Sequence, residues 1–530
     1  MISDVNDLPF GQYLSFEDLG LPQAFQQHFS LLLSPEHQLL VLTCSEMHLS
    51  HLQFDLRRRL QRISLSAVDA FAAIHELEVS AEILKSIHAT QRPVRAEVST
   101  SVEMAAWELI NQALAVSSSD IHIETRGAYA QVFFRVHGER LEQPNISSKR
   151  ATDMCNVLYG VHADADNKGV SWDEKQLKEA VIEHVSDQGV HVQLRLSSAP
   201  IHPAGNFHVV IRLLVMDEKT LRPLASMGYE AVHIECINEM LLGSQGAVFL
   251  VGPTNSGKST SLQAFIEKLY TSRGRSIKVI TVEKPVEYLI RSACQMGVSQ
   301  HKTDWIDQST GSVYSKYVAA TLRQDPDVVM MGEVNDHDSA ENIKQLVLSG
   351  RKTLSTLHVY EAMGVFARLR EMGIAPSVLY MRHFISGVIF QRLVPLLCPL
   401  CATSFLQAKQ LGLIPLNTFN RVKKVSAGRL KRIKIRGLGC ESCAHMGIVG
   451  RTVCAEVLLP DECFLSHMRQ ENVGAARAHW LAQQALNLNG LGVGVIAHAV
   501  LKMHEGLIDP MDIERWIGPI VLEGVASHGV

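Results

Sequence analysis

The chain's strongest pattern is a series of short apolar runs separated by segments with helical spacing. Ala247-Val248-Phe249-Leu250-Val251, Ile277 to Val282, Val328 to Met331 and Thr353 to Leu357 are too short for helices and read as strands buried inside a parallel sheet. Asp336 to Leu348 repeats apolar residues at helical spacing, with Asp336 placed to cap its start and Gly350 to end it. Strands alternating with helices predict an α/β fold with a doubly wound, mostly parallel sheet.

The flanks read differently. Residues 1–100 carry leucine-rich helical patterns (Leu31 to Leu42, Leu52 to Leu65, Val68 to Ile87) and the basic cluster Arg57-Arg58-Arg59, ending at the turn-rich Thr90-Gln91-Arg92-Pro93. They are expected to form an N-terminal adaptor domain. Residues 101–225 predict an α+β domain: a helix from Val102 through Ala115, a break at Ser117 to Asp120, then alternating strands at Ile121 to Glu124, Gln131 to Val136, Val190 to Leu196 and Phe207 to Leu214. The parallel-sheet domain is expected over 226–395, a cysteine-bearing subdomain over 396–455 and a helical region over 456–530. In that last region Leu491 to Val500 is apolar and Gly506 to Pro510 reads as the final turn.

With 530 residues the chain exceeds a single core, and a formal net charge of −4 gives no reason to expect wholesale nucleic-acid binding. Early acids in Met1 to Phe10 do not fit a secretory leader, and no apolar run reaches the length needed to cross a bilayer. A cytoplasmic location is expected, and the ten cysteines then call for something other than structural disulfides.

Chemistry concentrates where the strands end. After Val251 come Gly252-Pro253-Thr254-Asn255-Ser256-Gly257-Lys258-Ser259-Thr260, the spacing G-x-x-x-x-G-K-S between a strand and a helix. Glycines allow the backbone to turn its N–H groups onto a phosphate, Lys258 reaches the β- and γ-phosphates, and Ser259 is the Mg²⁺ ligand. Glu333 closes the strand Val328 to Met331 as a carboxylate able to hold the Mg²⁺ shell or polarise a water. Glu283 and Glu287 follow another strand in the same way, and His358 follows Ser355-Thr356-Leu357. ATP and Mg²⁺ are therefore the expected cofactors.

Cys398-Pro399-Leu400-Cys401 and Cys440-Glu441-Ser442-Cys443 are two C-x-x-C pairs 38 residues apart, the pattern of a closed structural Zn²⁺ site. Between them Arg421 to Arg436 holds eight Lys or Arg and no acid. That run is either a solvated surface or a contact for anionic lipid headgroups or an acidic partner.

Leu322-Arg323-Gln324-Asp325-Pro326-Asp327 running into Gly332-Glu333, then Ser355-Thr356-Leu357-His358, resembles the motor ATPases of type II secretion and type IV pilus assembly. The resemblance extends to Ser119-Asp120-Ile121-His122-Ile123-Glu124, Arg195-Leu196-Ser197 and Gln391-Arg392-Leu393, covering roughly residues 100 to 460. It implies a hexameric ATPase with a RecA-like core and a PAS-like second N-terminal domain, peripheral to the inner membrane and working with a platform protein there. It also implies that Arg195, Arg212 and Arg323 serve the nucleotide site, that Glu283 and Glu287 form an aspartate box, Glu333 a Walker B glutamate and His358 a histidine box. Lys284, Asn335 and Arg351 depart from the family's usual Asp, Arg and His. The departures point to a divergent pilus branch, of the bundle-forming or conjugative thin type. A nucleic-acid translocase and a weakly catalytic, nucleotide-gated assembly factor are the alternative readings.

Overall fold

The computed structural model describes residues 12–14, 30–33, 38–43, 73–78, 96–163, 172–186, 189–216, 222–298, 313–483 and 487–522. The chain divides into two compact units, Met1–Ala106 and Trp107–Val530. In the first, β1 (Gln12–Leu14), β2 (Ser30–Leu33), β3 (Gln38–Thr43) and β4 (Ala73–Glu78) form one sheet in that order, antiparallel except for the parallel β3–β4 pair. The helices expected from Leu31 to Leu42 and from Val68 to Ile87 are corrected to strands where the residues are described, at 31–33, 38–42 and 73–78; the rest of both ranges lies outside the described residues. Pro35 interrupts the first run, and the apolar pieces either side of it are only three or four residues long, which suits a strand as well as a helix. Leu52 to Leu65 and Arg57-Arg58-Arg59 lie outside the described residues.

The second unit begins with a six-stranded antiparallel sheet. Its strands are β5 (Asp120–Arg126), β6 (Tyr129–Val136), β7 (Glu139–Ser147), β8 (Lys178–Val185), β9 (His191–Ile201) and β10 (Asn206–Val215), in the order β7-β6-β5-β10-β9-β8. Ile121, Ile123, Val132, Phe134 and Val136 bury one face, as the alternation requires. Polar strands β7 and β8 carry too little apolar signal to be read from sequence.

The second sheet has seven strands: β11 (Gly246–Val251), β12 (Val279–Glu283), β13 (Ala293–Gly297), β14 (Val328–Met331), β15 (Lys352–Leu357), β16 (Ile385–Leu397) and β19 (Ile448–Leu458). The order is β13-β12-β14-β15-β11-β16-β19, all parallel except the antiparallel β16–β19 pair. β11, β12, β14 and β15 are buried throughout, and Phe249, Phe265, Phe366, Phe390 and Phe464 fill the core around them. This is the α/β, RecA-like architecture expected. Register pairs Val251 with Leu357, Ser355 with Met331, and Met331 with Val282, so the four central strands end together. Whatever follows those ends is delivered to one edge.

The stretch between β16 and β19 holds both cysteine pairs, the small ladder of β17 (Thr403–Ser404) and β18 (Lys434–Ile435), and the helix Leu416–Val425. Its apolar residues Phe405, Ile414, Val422 and Ile433 share a core with the helices Val495–His504 and Pro510–Trp516. The turn expected at Gly506 to Pro510 is therefore not the last element; Asp509 caps a further helix by accepting from Met511 N–H at 2.8 Å. No helix among the described residues is long and apolar enough to cross a membrane.

Candidate active site and metal centre

Gly252 (φ 144°) and Gly257 (φ 84°) fold the loop after β11 back on itself, and the helix Lys258–Ser272 starts directly from Gly257. Gly252 is required by space as well as by φ, and Gly257 chiefly by φ. A Cβ on Gly252 would lie 2.4 Å from the carbonyl oxygen of Gln391, and one on Gly257 would lie 3.2 Å from the Gln391 amide nitrogen. Lys258 Nζ donates to the carbonyls of Gly252 (3.0 Å) and Pro253 (2.9 Å), held over its own loop. Burial pulls its ammonium down to about 8, opposed by the carboxylates of Glu333 and Glu287. An anionic ligand would stabilise that charge, so the residues fit a bound phosphate chain.

Around the loop opens a cavity of about 1390 Å³. Residues Pro253 to Thr260 form one wall, and Glu283, Glu287, Glu333 and His358 stand along it. Glu287 accepts a hydrogen bond from Ser259 Oγ at 2.5 Å, which puts a carboxylate beside the hydroxyl suited to Mg²⁺. Glu333 Oε1 and His358 Nε2 are 2.7 Å apart. Glu283 is buried, accepting from Thr281 Oγ1 at 2.6 Å and Gln295 Nε2 at 3.0 Å, and burial raises its carboxyl above the ordinary range. Tyr314 ties the two acidic strands together: its hydroxyl donates to Val282 O (2.9 Å) and accepts from Gly332 N–H (3.0 Å).

The opposite wall comes from the six-stranded sheet. Arg212 lines it and donates through Nε to buried Asp120 at 3.0 Å, with Arg135 3.8 Å from the same carboxylate. Arg195 lies outside the wall, yet the Glu287 carboxylate partly offsets the burial that lowers its guanidinium. The structure does not bring Arg323 to the cavity. It is exposed ahead of β14, at the end of that strand remote from Glu333.

The three departures divide in the same way. Lys284 and Asn335 line the cavity, and Asn335 N–H donates to Ser339 Oγ at 3.0 Å. Arg351 precedes β15 at its far end, donating to the carbonyls of Ser349 (3.3 Å) and Leu322 (3.4 Å). A strand of six residues at roughly 3.3 Å each separates it from His358. Asp120, Tyr314 and Gln295 had no reading of their own as site residues. Asp120 lies in the Ser119 to Glu124 stretch of the resemblance but finds Arg212 from 92 residues away, and no local pattern marks Tyr314 or Gln295.

Cys398, Cys401, Cys440 and Cys443 bring their four Sγ atoms within 4.8 Å of one another. The pairs 440–443, 398–440 and 401–443 are 3.7, 3.8 and 3.9 Å apart. Four sulfurs at about 2.3 Å from a tetrahedral centre stand about 3.8 Å from each other, so the spacing fits a thiolate-bound ion and is far too long for a disulfide. Cys443 Sγ also accepts from the N–H groups of Cys440 and Gly447, both at 3.2 Å, which favours its thiolate.

Three comparisons bear on this geometry. "Type II secretion system ATPase E" of Vibrio cholerae serotype O1 is 30% identical over 451 residues, spanning 85% of this chain and 82% of that protein. "Type IV pilus assembly ATPase PilB" of Thermus thermophilus is 27% identical over 390 residues, 73% of this chain and 40% of that protein. In fold, the chain is similar to the X-ray structure of the Legionella pneumophila ATPase DotB, with a TM-score of 0.54 and 20% identity over 77% of this chain and 93% of that one. The family model described as "Type II/IV secretion system protein" matches residues 95–505, spanning both the antiparallel sheet and the sheet that carries the phosphate-binding loop, and the chain belongs to that family.

Proposed function

We propose that this chain is an ATP hydrolase whose turnover drives protein movement in a type IV pilus assembly or type II secretion machine. The observation that carries the reading is the convergence, on one cavity, of the phosphate-binding loop, Glu333 paired with His358, Glu287 on Ser259, and Arg212 from the other sheet. Loop N–H groups and Lys258 hold the phosphates. Glu333, oriented by His358, takes the proton of the attacking water, and Arg212 lies on the facing wall where charge develops on the transferred group. Ser259 would hold Mg²⁺ directly and Glu333 would face it through the ion's water shell; when bound, the ion supplies charge neutralisation on the phosphates. Zinc is the proposed occupant of the four cysteines.

The relatives' names support secretion and pilus work. From the family resemblance we further propose a homo-hexamer at the cytoplasmic face of the inner membrane, working against a platform protein. The 1–100, 101–225, 226–395, 396–455 and 456–530 division remains the proposed domain plan. Glu333→Gln keeps the side chain's shape and removes the base. It should lower kcat roughly 10²- to 10⁴-fold while Mg–ATP still binds. Normal turnover by that variant would overturn the assignment, and multiple turnover by the unaltered chain would dispose of a purely nucleotide-gated role.

A further inference from the structure

Beneath the phosphate-binding loop lies a buried side chain that the catalytic reading does not use. Gln391, in the middle of β16, is 0% exposed. Its Nε2 donates to the carbonyl of Ser256 at 2.6 Å, inside the loop. Two hydroxyls, from Tyr229 and from Ser261 (3.0 Å), donate to its Oε1. All four residues are buried. With two donors fixed on Oε1, the amide has one orientation, and its N–H must face the loop. Main-chain atoms of Gln391 also crowd Gly252, so the strand is the bed on which the loop rests.

Tyr229 does not belong to that bed. It lies between the six-stranded sheet, which ends at Val215, and the helix Ala231–Leu242 that leads into the parallel sheet. Its neighbours are fixed elsewhere. Gly228 (φ 105°) packs so tightly that a Cβ would lie 2.0 Å from Thr452 Oγ1, and Glu230 receives His498 Nε2 at 3.3 Å and Lys502 Nζ at 3.4 Å. Burial raises the Tyr229 phenol above its ordinary range, which keeps it a donor.

We propose that Tyr229 and Gln391 form a latch that positions the phosphate-binding loop and ties its conformation to the segment joining the two sheets. They are positioning residues, acting on nucleotide through the Ser256 carbonyl. Losing the Tyr229 hydroxyl leaves Ser261 as the remaining donor to Oε1, so the amide's hold on the loop weakens and the connecting segment ceases to register what the loop holds.

The proposal rests on nucleotide binding at this loop, and the test separates the two. Dissociation constants for Mg–ATP and ADP are measured on the full chain, on Tyr229→Phe, on Gln391→Leu and on the double variant. Hydrogen exchange is followed at residues 224–230 with and without nucleotide. The unaltered chain should bind both nucleotides, and failure to bind sinks the nucleotide reading itself; binding without nucleotide-dependent protection at 224–230 overturns the latch. Tyr229→Phe should weaken both nucleotides about fivefold to tenfold and abolish that protection. The double variant should be no weaker than Gln391→Leu, since the two act through one contact. Unaltered affinity with intact protection in Tyr229→Phe, or strictly additive losses, would overturn the latch. If Gln391→Leu fails to fold, Ser261→Ala removes the other donor to Oε1, and the same affinities and the same cycle with Tyr229→Phe decide the question.

Discussion

Glu456 shows what a single buried acid imposes. It sits in β19 with its two oxygens accepting from Ala362 N–H at 2.7 Å and Val495 N–H at 3.2 Å, pinning a loop and a helix start to the sheet. Burial pushes its carboxyl from the ordinary 4.5 up to about 7. Between those values the native state binds more protons than the unfolded chain, so this group's contribution to stability falls as pH rises from about 4.5 through about 7 and then levels. Glu456→Gln removes the titration, so its Tm relative to the unaltered protein should improve from pH 5 to pH 8. A constant difference across that range would place the charge elsewhere. At this scale sequence is uneven evidence. Gly252 to Thr260 announce themselves because their ligand is met by consecutive residues. Gln391 and Tyr229 do not, because Gln391 finds Ser256 from 135 residues away and Tyr229 from 162.

Among elements, the central strands were legible because burial on both faces leaves unbroken apolar runs, and the Asp336 cap was legible because its partner Ser339 is three residues on. The first unit was misread because three-residue leucine runs fit either period. The cysteine pairs were readable in spacing, but their meeting depends on close backbone passage: a Cβ on Gly437 would lie 1.8 Å from the Cys401 carbonyl oxygen. If the cluster holds zinc, the purified protein should carry one ion per chain. Cys440→Ser should lose most of it, and faster amide exchange should spread into the helix Leu416–Val425, measured by metal analysis and exchange on the same sample. A metal-free chain with the same exchange rates would assign these thiols another role.

Across the whole molecule, the basic run is less available than its sequence implies. Arg421 holds Glu514 at 2.5 Å, Arg436 bonds Glu139 at 2.8 Å and Asp512 at 3.3 Å, and Arg429 lies 3.2 Å from His504. Lys423, Lys424, Lys431, Arg432 and Lys434 stay exposed. Anionic-membrane contact is worth about 1 kcal/mol per basic residue near the surface, so reversing Lys431 and Arg432 together to Glu should weaken flotation with anionic vesicles at least tenfold, with ATP turnover in solution unchanged. Equal flotation would confine the run to structural pairing.

The strand β16 joins these scales. Six residues separate Gln391, under the phosphate-binding loop, from Cys398, and the span runs at roughly 3.3 Å per residue with its register shift only between Leu396 and Leu397. The cysteine-bearing stretch is mounted twice, once on the β16–β19 neck and once through the apolar core it shares with the C-terminal helices. Two mountings leave no free axis for a swivel. One continuous strand thus carries the phosphate-binding loop on its middle and the first cysteine pair at its end.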